Sequence, residues 1–260
     1  FKPTLSCILN IQSDHMDRHE NFANYFNDKM NIVKNLDNNS HIVYNQDDTN
    51  LNKYFKGKNN TIPFSIKNNN DLYTSSKKIY CNTSKKQIIN QDQTQLIGVH
   101  NLSNMLAAIQ IAKIFNINNK IIKQALIDFK PLEHRMEKIT INDNFLFIND
   151  SKGTNLSSTK YAIDSFTTKI ILILGGYTNE KINRRDILEL IDNENILKII
   201  CYGDVGEKLI NIIEKYKNST FKKDFSDAIH ESIKYADINH TVLLSPGFKS
   251  FDQFNNFEER

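Results

Sequence analysis

The chain has 260 residues, 39% of them hydrophobic and 24% charged, with a formal net charge of +3. That length accommodates one large or two modest domains with real cores. Basic and acidic residues are interspersed, which excludes a dedicated nucleic-acid face, and no run of about eighteen apolar residues offers a membrane span.

Cys7, Cys81 and Cys201 are isolated and lack metal-ligand spacing. They read as reduced thiols of a cytoplasmic protein. The start, Phe1-Lys2-Pro3-Thr4, has neither a methionine nor a signal pattern, so the chain is expected to begin inside a longer protein.

In chain order, Leu5 to Ile11 reads as a strand, followed by the loop Asp14-His15-Met16-Asp17-Arg18-His19 and a helix from Glu20 to Asn35. Phe22, Tyr25, Phe26, Ile32 and Val33 recur at helical spacing, and Lys29 falls on the same stripe. A lysine buried there would lose its proton, and a neutral amine reacts with carbon dioxide to give a carbamate suited to magnesium. The plainer alternative is that Lys29 snorkels outward and His15 braces a loop. His41 to Tyr44 is a further strand, ending in a turn at Asn45-Gln46-Asp47-Asp48. Residues 50 to 95, rich in Asn, Lys, Thr and Ser, read as short antiparallel strands and loops.

His100 to Phe115 is a helix whose first turns carry Asn101 and Asn104 on one face, beside His100. Such a cluster at a positive helix end could hold a base or a phosphate, although an asparagine there is more often only a cap. A second helix runs from Asn119 to Phe129, and Pro131 marks a boundary between domains 1–130 and 131–260.

Beyond Pro131, short apolar runs alternate with amphipathic stretches. The runs are Phe145 to Ile148, Ile170 to Leu174, Ile196 to Cys201 and Thr241 to Leu244. Val205, Leu209, Ile212, Ile213 and Tyr216 form one helical face, as do Phe225, Ala228, Ile229, Ile233 and Ala236. This alternation predicts an α/β fold with a parallel sheet. Ligands of such sheets bind at the carboxyl ends of strands, where Asp150 to Thr154, Gly175-Gly176 and Ser245 would share one edge. Phe254 to Arg260 is expected to be a helix cut short.

Two blocks carry a family resemblance: Asn149-Asp150-Ser151-Lys152-Gly153-Thr154-Asn155 with Ser157-Ser158-Thr159, and the tail from Leu244-Ser245-Pro246 through Phe257-Glu258-Glu259. Together they resemble the Mur ligases, and within them the branch that adds D-glutamate. The resemblance covers nearly the whole chain. It implies part of a central ATP-binding domain followed by a Rossmann-like C-terminal domain with a mostly parallel sheet. It further implies an ATP-dependent ligase that joins D-glutamate to UDP-N-acetylmuramoyl-L-alanine through an acyl phosphate in peptidoglycan synthesis, with ATP and Mg2+ as cofactors, as a monomer.

By the same resemblance, His15 and a carbamylated Lys29 bind magnesium, and Asn101 and Asn104 contact ATP. Arg135, in Glu133-His134-Arg135-Met136-Glu137, reaches the ATP phosphates once the domains close, and Asp150 accepts hydrogen bonds from the ribose. Lys152, Thr154, Lys181, Ser250 and Phe257 fall to the D-glutamate and acyl-phosphate side. Taken singly, Arg135 reads as an ion-pair partner, Asp150-Ser151 as a capping turn, Ser250 as a cap and Phe257 as a core residue.

The chain departs from the family pattern in four places. Gly247-Phe248-Lys249 stands where small residues are usual, which would crowd a pocket wall. Gly153 replaces an alanine, a minor change. The lysine expected soon after Gly175-Gly176 is missing from Tyr177-Thr178-Asn179-Glu180-Lys181, unless Lys181 reaches the site. No Gly-x-x-x-x-Gly-Lys-Ser/Thr loop occurs, so the chain alone is expected to be inactive. A non-catalytic remnant and a related ligase such as folylpolyglutamate synthase are the alternative readings.

Overall fold

The structure, a computed structural model, describes residues 2–12, 19–139 and 145–260. The chain divides into two compact units, Phe1–Phe129 and Lys130–Arg260.

The first unit runs β1 (Leu5–Ile8), α1 (Phe22–Met30) with a 3-10 turn at Asn31–Val33, β2 (His41–Asn45), α2 (Thr49–Phe55) and β3 (Thr61–Phe64). It continues with β4 (Leu72–Ser75), β5 (Lys78–Cys81), β6 (Gln87–Asn90), α3 (Val99–Ile114) and α4 (Asn119–Asp128). Strands β1, β2 and β3 form a parallel sheet, and β4, β5 and β6 an antiparallel one.

Successive strand residues face opposite sides of a sheet, and β2 uses this to join two cores. Val43 belongs to the cluster that contains Leu72, Ile79, Ile89 and the α3 residues Leu102, Met105, Leu106 and Ile109. Its neighbour Tyr44 belongs to the cluster on the other side, with Tyr25, Met30, Leu51 and Phe55.

Residues 50 to 95 meet the expectation of short antiparallel strands at β4, β5 and β6 and depart from it in the stretch before them. Helix α2 is capped by Asp48, whose side chain accepts from Asn50 N at 2.9 Å and Leu51 N at 3.0 Å. The strand after it, β3, is parallel to β2 rather than part of an antiparallel set. The cap and the buried Leu51 and Phe55 hold this turn of helix despite its asparagines.

The second unit runs β7 (Glu137–Ile139), β8 (Leu146–Asn149), α5 (Leu156–Ile163), β9 (Lys169–Gly175), α6 (Arg184–Ile191) and β10 (Ile196–Tyr202). Then come α7 (Gly203–Ile213), β11 (Ser219–Lys222), α8 (Phe225–Ile233) and β12 (His240–Gly247). One six-stranded sheet results, in the order β11-β10-β9-β12-β8-β7, with only β7 antiparallel to its neighbour.

The α/β class and the mostly parallel sheet agree with the sequence expectation. Its middle is apolar, because Ile171, Ile173, Ile200, Val242 and Leu244 form a continuous core with Ala228 of α8. The last strand, β12, inserts between β8 and β9. The loops leaving these three carboxyl ends therefore emerge side by side. Pro246 has no N–H for the ladder, and the register of β12 on β9 shifts between Leu244 and Gly247.

The tail after β12 is a series of turns, not the expected helix. Its polar groups bond elsewhere: Asp204 N, in the first turn of α7, donates to Asp252 Oδ2 at 3.3 Å, and Phe225 N donates to Gln253 Oε1 at 2.8 Å. The tail thus supplies N-terminal acceptors to α7 and α8, neither of which has a side-chain cap from its own flanking residue. All three cysteines are free, and no helix among the described residues is long and apolar enough to cross a membrane.

Candidate functional site

The insertion of β12 brings Ser245 to Asp150. Ser245 Oγ donates to Asp150 Oδ2 at 2.8 Å, and Met136 N donates to Asp150 Oδ1 at 3.3 Å. Asp150 is only 7% exposed. Burial raises its pKa to about 6, while the Ser245 hydroxyl, the Met136 N–H and the charge of Arg135 pull it back. Each carboxylate oxygen keeps a lone pair for a further donor.

Gly153 lies close against this carboxylate. A Cβ at Gly153 would lie 2.6 Å from Asp150 Oδ2 and 2.9 Å from Ser245 Oγ. The carboxylate occupies space that alanine would deny it. Capping belongs to Asn155, which accepts from Ser158 N at 2.8 Å, rather than to Asp150-Ser151.

Arg135 is exposed, on a turn between His134 (φ +63°) and Met136 (φ +47°). Two non-glycine residues in the left-handed region are costly and persist only where the surroundings enforce them. Here Met136 is buried and bonded to Asp150, and His134 N donates to Glu137 Oε2 at 2.8 Å.

The same turn supports the next residues of the site. The His134 carbonyl accepts from Lys152 N at 3.1 Å. The Lys152 ammonium lies 5.0 Å from the Phe257 ring centroid, and the His134 ring meets that ring edge-on at 6.1 Å. Lys152 and Phe257 are thereby brought together, with His134 as a member that the sequence did not nominate. Thr154, half-buried, follows on the same loop.

The loop after β9 is tied to the tail as well. Tyr177 N donates to the Lys249 carbonyl at 2.7 Å, and Lys249 N returns a bond to the Tyr177 carbonyl at 3.1 Å. Phe248 is buried, at 8% exposure, and does not stand open at the edge. Ser250 is 2% exposed, and its carbonyl accepts from Gln253 N and Phe254 N to start the tail turns, so it caps no helix. Lys181 is exposed, in the stretch between Tyr177 and α6.

The sequence also missed Arg260, whose buried guanidinium donates to Ser151, Tyr202 and Phe248. The resemblance block ends one residue before it, and nothing in the local pattern marks an arginine as buried.

In the first unit, His15 lies outside the described residues. Lys29 is exposed, with its ammonium 5.3 Å from the Tyr25 ring centroid. The expected burial of Lys29 is therefore absent. Helix α1 ends at Met30, and Tyr25 and Met30 are its buried side chains, which leaves Lys29 on the outer flank. Asn101 and Asn104 do meet: Asn104 Nδ2 donates to Asn101 Oδ1 at 3.4 Å, and Asn101 Nδ2 donates to the Ile97 carbonyl at 2.8 Å. Helix α3 starts after Gly98, which provides no side-chain cap, so Asn101 is inside the first turn rather than a cap.

Among the described residues, no group of three or more His, Cys, Asp or Glu side chains gathers where one cation could touch them all. The described residues alone do not make a magnesium site.

Comparison with known proteins places these features in a family. The Mur ligase middle domain matches residues 1–112, and the domain described as "Mur ligase, glutamate ligase domain" matches residues 134–248. A UDP-N-acetylmuramoylalanine--D-glutamate ligase of Caldicellulosiruptor saccharolyticus is 34% identical over 268 aligned residues, covering 100% of this chain and 59% of its own length. One of Fusobacterium nucleatum is 36% identical, covering 100% of this chain and 61% of its own. The chain thus spans about three fifths of the curated relatives it matches. Among solved structures, MurF of Acinetobacter baumannii superposes with a TM-score of 0.71 at 14% identity, over 95% of this chain and 57% of that one. MurF of Thermotoga maritima, solved in complex with ADP, gives 0.68 at 17% identity, over 93% and 58%. These two show the fold.

Proposed function

The chain belongs to the Mur ligase family, and on that premise we propose that it is part of an ATP-dependent ligase that joins D-glutamate to UDP-N-acetylmuramoyl-L-alanine in peptidoglycan synthesis. One observation carries the reading: the edge where β8, β9 and β12 end gathers Asp150, Lys152 and Phe257 on loops tied to the Ser250 turn. The names of the relatives supply the two substrates, and the ADP-bound neighbour supports a nucleotide in a related fold.

In this reading the substrate carboxylate attacks the γ-phosphorus of ATP, giving an acyl phosphate and ADP. The amine of D-glutamate then attacks the acyl carbon, and phosphate leaves. Arg135, exposed on its constrained turn, presents a permanently charged fork to phosphate oxygens. Asp150 accepts from the ribose hydroxyls, and Asn101 and Asn104, near the start of α3, are the proposed ATP contacts of the first unit.

On the amino-acid side, Lys152 pairs with a carboxylate, with Thr154, Ser250 and Phe257 completing the contacts and Lys181 as a second cation. Holding amine and acyl phosphate together supplies part of the rate through orientation. His15 and Lys29 as carbamate are the proposed magnesium ligands, and the ion would neutralise charge on the transferring phosphoryl group.

The test is phosphate release by the natural full-length protein with ATP, UDP-N-acetylmuramoyl-L-alanine and D-glutamate. Release that depends on D-glutamate is expected, and Lys152→Ala should raise the KM for D-glutamate about ten- to a hundredfold, the loss of one charged hydrogen bond. Binding of ATP and the muramoyl nucleotide with no release for any amino acid would sink the reading. Release with a pterin substrate instead would move the chain to the folylpolyglutamate ligases.

A further inference from the structure

Arg260 is 8% exposed, and among the described residues its four hydrogen bonds go to uncharged groups. Nε donates to Ser151 Oγ at 2.9 Å and NH2 to the Ser151 carbonyl at 2.6 Å. NH1 donates to Tyr202 Oη at 3.1 Å and to the Phe248 carbonyl at 3.2 Å. Asp252 feels the charge of Arg260, but no carboxylate among the described residues hydrogen-bonds the guanidinium. Burying it in this way is expensive, so the arrangement calls for a role beyond solubility.

The partners indicate that role. Ser151 follows β8, Tyr202 ends β10 and Phe248 follows β12, so one planar fork ties together the ends of three strands. Ser151 is fully buried, and its Oγ, which accepts from Arg260, donates in turn to the Phe257 carbonyl at 2.8 Å. With its other side fixed by Ser151 N donating to Asn149 Oδ1 at 3.0 Å, the serine has no freedom to turn away.

We propose that Arg260 is a positioning residue: it locks Ser151, and through Ser151 it holds the Phe257 ring against Lys152 and His134. Arginine suits this because its donors lie in one rigid plane and its charge does not titrate away, whereas lysine offers a point charge on a flexible stem. Tyr202 supplies the acceptor that fixes the far end of the fork. The tail turns are thereby closed at Arg260 as they are opened at Asp252 and Gln253, and Phe257 sits between the two attachments. The inference rests on the ligase reading for its kinetic consequence but not for its geometry.

The test uses the natural full-length protein carrying Arg260→Lys, Tyr202→Phe, Phe257→Ala and the Arg260→Lys/Phe257→Ala pair. Arg260→Lys should raise the KM for D-glutamate about tenfold, and Tyr202→Phe about two- to threefold, with the KM values for ATP and the muramoyl nucleotide unchanged. In the double variant the two losses should fall well short of multiplying, because both act on the same ring. Equal changes in all three KM values, or losses that multiply fully, would overturn the proposal.

A fluorinated phenylalanine placed at position 257 gives a readout independent of activity. Its fluorine resonance should shift or broaden in Arg260→Lys, and an unmoved resonance would overturn the proposal. If the wild type forms no product at all, the ligase reading fails and the resonance alone decides the positioning role.

Discussion

The two units hold their candidate residues in different ways. In the second unit Asp150, Ser250 and Arg260 are buried, and Asp150 and Arg260 are bonded to neighbouring strand ends. In the first unit Lys29 and Asn104 are exposed on helices whose buried faces lie elsewhere. The difference teaches that a sheet edge built by strand insertion orders polar groups by itself. A helix surface offers groups without fixing them.

The sharpest way to break this comparison is at Gly175, with φ of +148°, where a Cβ would collide with the backbone of Tyr202. Gly175→Ala should destabilise the second unit by about 3 kcal/mol or more, read as a lowered denaturation midpoint. A wild-type midpoint would mean that the strand ends are looser than described.

The next largest effect is a pH dependence. Asp150 holds its proton to about pH 6 when folded, against 3.8 ordinarily. Between these values the folded state binds more protons than the unfolded state, so stability falls as pH rises through that window and levels off above it. The loss is on the order of 3 kcal/mol. Denaturant midpoints measured across the window should decline in the wild type and stay flatter in Asp150→Asn, and parallel curves would refute the buried, ionising carboxylate.

Gln253→Ala removes the acceptor at Phe225 N and a bond from Nε2 to the Lys223 carbonyl, 2.9 Å long. A loss of about 1–2 kcal/mol is expected by chemical denaturation. Finally, Lys29→Ala and Asn104→Ala should each change stability by no more than about 0.5 kcal/mol. A larger loss in either would show that the first unit fixes these groups after all.

Legibility in the sequence followed burial. The apolar runs became β8, β9, β10 and β12 because strands covered on both faces have no polar alternation to hide them. Strands β7 and β11 escaped notice because they are the edges of the same sheet: Glu137-Lys138-Ile139 and Ser219-Thr220-Phe221-Lys222 are mostly polar. Helix α2 was hidden by its asparagines, and its stabilising acceptor Asp48 also takes Ile11 N at 2.9 Å, a contact across 37 positions.

The site divides in the same way. Asp150, Lys152 and Phe257 could be nominated from the sequence because their motifs are local strings. Ser151 was passed over as part of a turn and Arg260 was not weighed, because each takes its meaning from the other, 109 positions away. The burial expected of Lys29 failed for the converse reason. Its spacing matched the apolar stripe, but α1 stops at Met30, and the outer flank of a short helix is open to water.

The placement of β12 has a consequence for how the protein is made. The strand that completes the middle of the second sheet is the last of its six to be synthesised. Until residues 240–247 leave the ribosome, β8 and β9 each lack a neighbour that the finished sheet gives them. Two apolar strands then wait with unpaired edges, the condition in which nascent chains depend on chaperones and are most prone to aggregate. Closure needs partners nearly a hundred residues apart in sequence, so the second unit should fold late and slowly for its size.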